Sequence, residues 1–329
     1  MLRSIGACSA LIEASFDGKG TAMEDRLAKI RGKIIDFRLR PPSGSYRGFF
    51  TPNVVAATNR LLGHGVPRSY QISTEPYPHS EDRAIKALLD EMNSVGVRLG
   101  VMNGRHSVNR PVPVHIEDKD LAELHLRTDK RVVGLAGVDF DKPMPEILSG
   151  LDKAIKELKL VGVCIEPGLA RTPMYADDEK LFPLYEKIVE LKVPLLFMSG
   201  PLAGPDISHT DPVRFDRVAR RFNPMPVILG HGCYPYVNEA ISLAFKSEVT
   251  GIMNVYVSPD VYVFAPGGQG YVEGINFMPN RFLYASAYSF GGVDTTVRDT
   301  LKQPIKDDAL AAYMYRNAEA LLGNAGGPS

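Results

Sequence analysis

The sequence has no tryptophan among its 329 residues, only three cysteines, and no excess charge of either sign, since 38 basic side chains face 38 acidic ones. Each shortage excludes something. A zero formal net charge with no basic run lacks the electrostatic footprint of a nucleic-acid binder or of a protein held on an anionic membrane. Cys8, Cys164 and Cys233 are scattered, odd in number and without metal-ligand spacing. They argue against a disulfide scaffold and fit a reducing compartment, so a cytoplasmic location is expected. No apolar run reaches the length of a membrane span. No Gly-x-Gly-x-x-Gly follows the first strand, which counts against a dinucleotide-binding fold, and no cofactor is expected. The stretch Ile5 to Phe16 is mildly apolar but broken by Glu13, and it lacks the core of a signal peptide. Residues 1–22 are therefore read as a flexible tail ahead of a single domain over 23–329.

What is present is alternation. Lys33 to Phe37 reads as a strand stopped by Pro41-Pro42, and a long irregular stretch rich in Gly, Pro, Tyr and Arg runs from Pro41 to Pro78, as functional covers do. Ser80 then caps a helix with apolar positions Ala84, Leu88, Met92 and Val95, ended by Gly96. Short, nearly continuous apolar strands follow at Val97–Met102, Arg131–Val138, Leu160–Ile165, Pro194–Met198, Pro226–Leu229, Gly251–Val257 and Arg281–Ala285. Helical patterns separate them, and Asp177 or Asp178 caps the one from Glu179 to Leu191. Eight such units predict an α/β fold, a single (β/α)₈ TIM barrel, rather than an open sheet.

In such a barrel the chemistry gathers at the C-terminal ends of the strands. Those ends carry Arg38 and Arg40, Asn103 and Arg105, Asp139, Glu166, Met198-Ser199, His231, Ser258-Pro259-Asp260, and Ala287-Tyr288. Arg38 and Arg40 are two apart, so on an extended chain both point the same way. Two guanidinium groups side by side repel unless an anion lies between them, and their planar forks suit a carboxylate or phosphate. The alternative is that each makes a structural salt bridge.

The chain resembles the amidohydrolase superfamily, in its amidohydrolase-related, decarboxylase-like branch. The resemblance runs from about Lys33 to Gly323. It is carried by Ile34-Ile35-Asp36-Phe37, by Tyr175-Ala176-Asp177-Asp178 with Leu181-Phe182-Pro183-Leu184-Tyr185, by Leu229-Gly230-His231-Gly232, by Arg281-Phe282-Leu283-Tyr284 and by Arg316-Asn317-Ala318-Glu319. That branch implies a His-x-His pair after the first strand, a histidine ending the fifth and an aspartate after the eighth. Here Arg38 and Arg40, Met198 and Ala287 stand there instead, and His231 alone remains. Arginine does not give up its proton to ligate a cation, so no catalytic metal is expected. The residual metal reading would use Glu166, His231 and Asp260 as ligands.

The expected function is hydrolysis of a small carboxylated ester, lactone or amide without the usual metal centre, with a small anionic metabolite as ligand and, by resemblance, a homodimer. His231 is the candidate acid or base. Glu166 either pairs Arg38 or Arg40 or acts as base, and Asp260 is either the replacement carboxylate or a turn aspartate. Arg38 and Arg40 bind the carboxylate. Arg105 is a third anion ligand or a loop charge, and Tyr262 and Tyr288 offer hydroxyls to an oxyanion or simply pack. A metal-independent decarboxylase or hydratase, and a non-catalytic anion-binding protein, are the rival readings.

Overall fold

The computed structural model describes residues 22–48, 52–61, 63, 65–77, 79–109 and 114–324. The apolar stretch from Ile5 to Phe16, read as part of a tail, lies outside the described residues. A helix over 22–30 leads into seven parallel strands: β1 (Ile34–Leu39), β2 (Val97–Asn103), β3 (Val132–Gly137), β4 (Val163–Ile165), β5 (Leu195–Met198), β6 (Pro226–Gly230) and β7 (Asn254–Ser258). Each pairs with the next in chain order. The expected eighth strand is an irregular segment over 282–285. The Leu283 N–H donates to the Val257 carbonyl and the Phe37 N–H donates to the Tyr284 carbonyl, both at 2.9 Å, so this segment joins β7 to β1. The architecture is the α/β barrel that the alternation predicts.

Side chains obey the period of two that strands impose. Ile35 and Phe37, Leu99 and Val101, Val133 and Leu135, Cys164, Leu196 and Met198, Ile228, Leu283 and Ala285 pack together as one cluster, the filling of the barrel. Their neighbours Ile34, Val132, Ala136, Val163, Ile165, Leu195, Phe197, Val227, Leu229, Phe282 and Tyr284 pack in a second cluster against the helices. Side chains one step above the filling, at the strand ends, face the mouth.

Several expectations are corrected in detail. The stretch from Pro41 to Pro78 is not irregular throughout: it holds a 3₁₀ turn, Gly44–Gly48, and helices Pro52–Leu61 and Arg68–Ser73. The Gly and Pro residues that flank these two short helices dominate the composition of the stretch and hide them. The helix of Ser80 runs His79–Val95, so Ser80 lies inside it. Gly96 does end it, at φ 73°, where an L side chain is strained. Asp178, not Asp177, is the cap, and its carboxylate accepts the Lys180 N–H at 3.0 Å. That cap starts a short 3₁₀ turn ahead of Phe182–Leu191. A two-stranded hairpin, Arg105–Ser107 with Val114–Ile116, follows β2 and was not expected. Among the described residues no helix is long and apolar enough to cross a membrane.

Candidate active site

Strand β1 sets the site through a slip in register. Asp36 lies beside Gly100 and Leu39 beside Met102, so three steps of β1 face two of β2. Such a bulge re-aims the residues after it. The Asp36 carboxylate holds the bulge: its Oδ1 accepts the Arg38 N–H at 3.1 Å and the Ser286 N–H at 2.9 Å, tying β1 to the closing segment. Burial pushes the Asp36 carboxyl up to about 6, against the pull of those hydrogen bonds and of Arg40. Arg38 and Arg40 are only 3% and 5% exposed.

The centre of the mouth is a triangle of side chains from β1, β6 and β7. Arg38 Nη1 donates to Asp260 Oδ2 at 2.5 Å and lies 2.7 Å from His231 Nδ1, which is 2.9 Å from the same Asp260 oxygen. Nδ1 thus faces a donor and an acceptor at once: without a proton it accepts from Arg38 and the ring proton sits on Nε2, and with one it donates to Asp260. Burial first, and then the charge of Arg38, depress the His231 pKa to about 4, so the ring is neutral around pH 7. Burial works against ionisation of Asp260, but the His231 and Arg38 groups overcome it and hold the carboxyl below its ordinary range. Asp260 Oδ1 and Arg38 Nε are buried and have no hydrogen-bond partner among the described residues.

The backbone here is held in an unusual state. His231 (φ 66°), Cys233 (φ 61°), Asp260 (φ 47°) and Ala287 (φ 53°) all lie in the left-handed region, at the ends of β6, β7 and the closing segment. Strain of this kind persists where surrounding contacts over-determine it. Ser199, at the end of β5, supplies some of them: its hydroxyl donates to the Gly230 carbonyl at 2.7 Å and accepts the Cys233 N–H at 3.2 Å. Tyr262 presents an edge to the His231 ring, centroids 5.3 Å apart, and Tyr234 stacks on Tyr262 at 4.6 Å. Burial pushes the Tyr262 hydroxyl up to about 12.

A second group lies toward β2 and β4. Arg105 grips both carboxylate oxygens of Glu166, and the Ser107 hydroxyl donates to the same carboxylate at 2.5 Å. Glu166 therefore pairs with Arg105, a partner that the sequence reading did not consider, and Arg105 is a buried partner of that carboxylate rather than a surface loop charge. The hairpin after β2, which the sequence does not announce, turns Arg105 and Ser107 onto Glu166. Arg40 donates to the Ala287 and Tyr288 carbonyls at 3.0 and 2.8 Å and lies over the Phe290 ring. Burial lowers its pKa, and the charges of Arg38 and Arg105 lower it further, so the mouth carries a cationic field.

Tyr288 contributes its carbonyl rather than its hydroxyl: the ring is fully buried and the hydroxyl pairs with Ser69 Oγ at 2.5 Å, away from the triangle. Asp139 is engaged near its own loop, with the Asp141 N–H. Asp36, Ser107, Ser199 and Asn103 are the residues that sequence reasoning left without a role. For Asn103 a signal existed, since it continues the inward series Leu99, Val101.

The sequence matches the model of a family described as amidohydrolase over residues 67–323. The match begins after β1, so it does not include Arg38 and Arg40. The chain is similar to an uncharacterized TIM-barrel protein from Bordetella bronchiseptica, at 31% identity over 89% of this chain and 99% of that one, with a TM-score of 0.79. In fold it is also similar to a dihydroxybenzoic acid decarboxylase from Polaromonas with bound manganese (16% identity, 89% and 97% covered, TM-score 0.60). A further likeness in fold is to 4-oxalomesaconate hydratase from Rhodopseudomonas palustris (17% identity, 89% and 96% covered, TM-score 0.57). No curated protein matches.

The manganese of the Polaromonas structure poses a question of fit for this mouth. His231 Nδ1 and Asp260 Oδ2 are the nearest pair of donor atoms, and a guanidinium nitrogen lies within hydrogen-bond distance of both. Glu166 is turned to Arg105. Among the described residues no group of three His, Cys, Asp or Glu side chains is placed to hold a metal ion. A divalent cation does not fit this set, because it would share its two ligands with a fixed positive charge.

Proposed function

The chain belongs to the amidohydrolase family, and from that membership and the geometry of the mouth we propose a hydrolase that uses arginine in place of a resident metal ion and cleaves a small carboxylated ester, lactone or amide. The observation that carries this reading is the triangle of Arg38, His231 and Asp260. The substrate carboxylate rests in the field of Arg38 and Arg40. Asp260, ionised at neutral pH and with Oδ1 open, takes a proton from water as the water oxygen bonds to the substrate carbonyl carbon. Arg38 Nε–H faces the developing oxyanion, joined by His231 Nε2–H in the tautomer whose Nδ1 accepts from Arg38. When the scissile bond breaks, Asp260 returns the proton to the leaving group. Arg105 and Glu166 hold the wall of the site rather than take part.

Decarboxylation, the reaction named for the Polaromonas protein, fits less well. It needs a proton donor for a carbanion, and a histidine with a pKa near 4 is not charged at neutral pH. Guanidinium groups also stabilise the carboxylate that would have to leave.

The test is a panel of carboxylated esters, lactones and amides with chelator present throughout, with carbon dioxide measured in parallel. Hydrolysis that survives chelation and is lost in Arg38→Met and in Arg40→Met supports the reading. Carbon dioxide in proportion to turnover, or activity unchanged in both variants, refutes it.

A further inference from the structure

Asn103 is the last residue of β2 and is 4% exposed, yet neither its amide nitrogen nor its amide oxygen has a hydrogen-bond partner among the described residues. Leaving a buried amide unsatisfied is costly, and native structures seldom do so at both atoms without a use for it. The backbone beneath it is tightly held. The Tyr46 hydroxyl donates to the Asn103 carbonyl at 2.5 Å. The Gly104 N–H donates to Leu135 O at 2.8 Å, and Gly104 lies so close to β3 that a Cβ there would come within 2.3 Å of Gly137 N. Asn103 continues the inward series Leu99, Val101, and Leu39 lies beside Met102, so the next step of the register brings the Arg40 backbone next to Asn103, while the Arg40 guanidinium is held by the Ala287 and Tyr288 carbonyls. The backbone that carries the amide is thus held, and the amide itself is sheltered from water on the inward face of the strand end.

We propose that Asn103 is a specificity-determining residue that selects substrates carrying a lactam or carboxamide beside the carboxylate, over the matching lactones and esters. This rests on the reading of the mouth as a carboxylate site. The argument is one of matching inventories. The asparagine side chain offers one donor edge and one acceptor on a single plane. A lactam or primary carboxamide offers the complementary N–H and C=O on one edge and satisfies both atoms. An ester or lactone has acceptors only, so it pairs with the nitrogen and leaves the Asn103 oxygen buried and unmet. An in-plane grip of this kind also leaves both faces of the carbonyl open to water.

The test measures binding to the full chain by calorimetry, with two matched pairs of probes. Pyroglutamate is compared with the γ-butyrolactone carboxylate of the same skeleton, and succinamate with monomethyl succinate. The wild-type protein is expected to bind the amide of each pair about tenfold more tightly or better, the penalty of one unmet buried acceptor. In Asn103→Leu the ratio falls toward one, and the melting temperature stays level or rises, because an apolar group of similar shape removes the unsatisfied amide. Probes that bind without amide preference, or a preference unchanged in Asn103→Leu, overturn this inference and leave the carboxylate site standing. A fall in melting temperature with the preference retained would mark Asn103 as structural and overturns it too. If none of the four probes binds, or binding is untouched in Arg40→Met, the carboxylate reading itself fails.

Discussion

Replacing Arg38 by methionine removes one charge from the centre of the site while keeping much of the side-chain volume. In the native protein Arg38 Nη1 is 2.7 Å from His231 Nδ1, and its charge, after burial, is what holds that histidine at about 4. At an effective dielectric near 20, two unit charges about 4 Å apart interact by about 4 kcal/mol, or roughly three pKa units. In Arg38→Met that repulsion is gone while Asp260 remains 2.9 Å away, so His231 is expected to rise by about two to three units. A ring-proton NMR titration, with His231→Gln to assign the resonance, reads this directly. Stability gives a second reading. A histidine whose folded pKa is depressed contributes stability that is present above its unfolded pKa, near 6.5, and lost as pH falls toward about 4. That loss is about 3 kcal/mol for His231. Asp36, raised to about 6, acts in the opposite sense, since its contribution is complete below 3.8 and is lost as pH rises through 6. The two nearly cancel in the native protein, so the informative quantity is the difference between native and variant. At pH 7 the variant is expected to be less stable by about 3–5 kcal/mol, because Asp260 loses a buried partner. Toward pH 4 the gap closes by about 3 kcal/mol, because only the native protein carries the depressed histidine. A His231 titration that stays near 4 in the variant, or a gap independent of pH, refutes the reasoning.

Three other outcomes follow from the same geometry. Asp260→Asn keeps an acceptor toward Arg38 but is a far weaker base, so turnover should fall by about 10² to 10⁴ while carboxylate binding measured by calorimetry persists; turnover within a few-fold of native would remove Asp260 from the chemistry. Glu166→Gln leaves Arg105 buried beside a neutral group and should cost about 3–5 kcal/mol in chemical denaturation, with a loss near zero showing that the pair is not what holds the hairpin. Asp36→Asn preserves an acceptor for the Arg38 and Ser286 N–H groups but cannot ionise, so its stability should gain about 3 kcal/mol relative to the native protein as pH rises from 4 to 6, the His231 contribution being no longer offset. Identical pH profiles for the two proteins would contradict the raised Asp36 carboxyl.

The succession of apolar strands and helical patterns is a local property, because period two and period 3.6 are written into neighbouring residues. It determined the barrel, the segments that build it, and hence the ends from which polar residues reach the mouth. Gly96 shows the same thing on a small scale, since a residue free to adopt positive φ stops a helix wherever it falls. Which charge meets which is not local. Arg38 reaches His231 and Asp260, 193 and 222 residues away, only because a slip in register between Asp36 and Leu39 re-aims β1. Glu166 goes to Arg105 because a hairpin after β2 presents it there, and the Tyr288 hydroxyl goes to Ser69. The helices Pro52–Leu61 and Arg68–Ser73 are too short for a periodic pattern to announce them. The unmet amide of Asn103 exists only once the surrounding strands have closed and taken its water away. Patterning chose the scaffold and the residues at its rim; stagger between distant strands and the exclusion of solvent, properties of the closed barrel, decided which of them became partners and which were left open for a ligand.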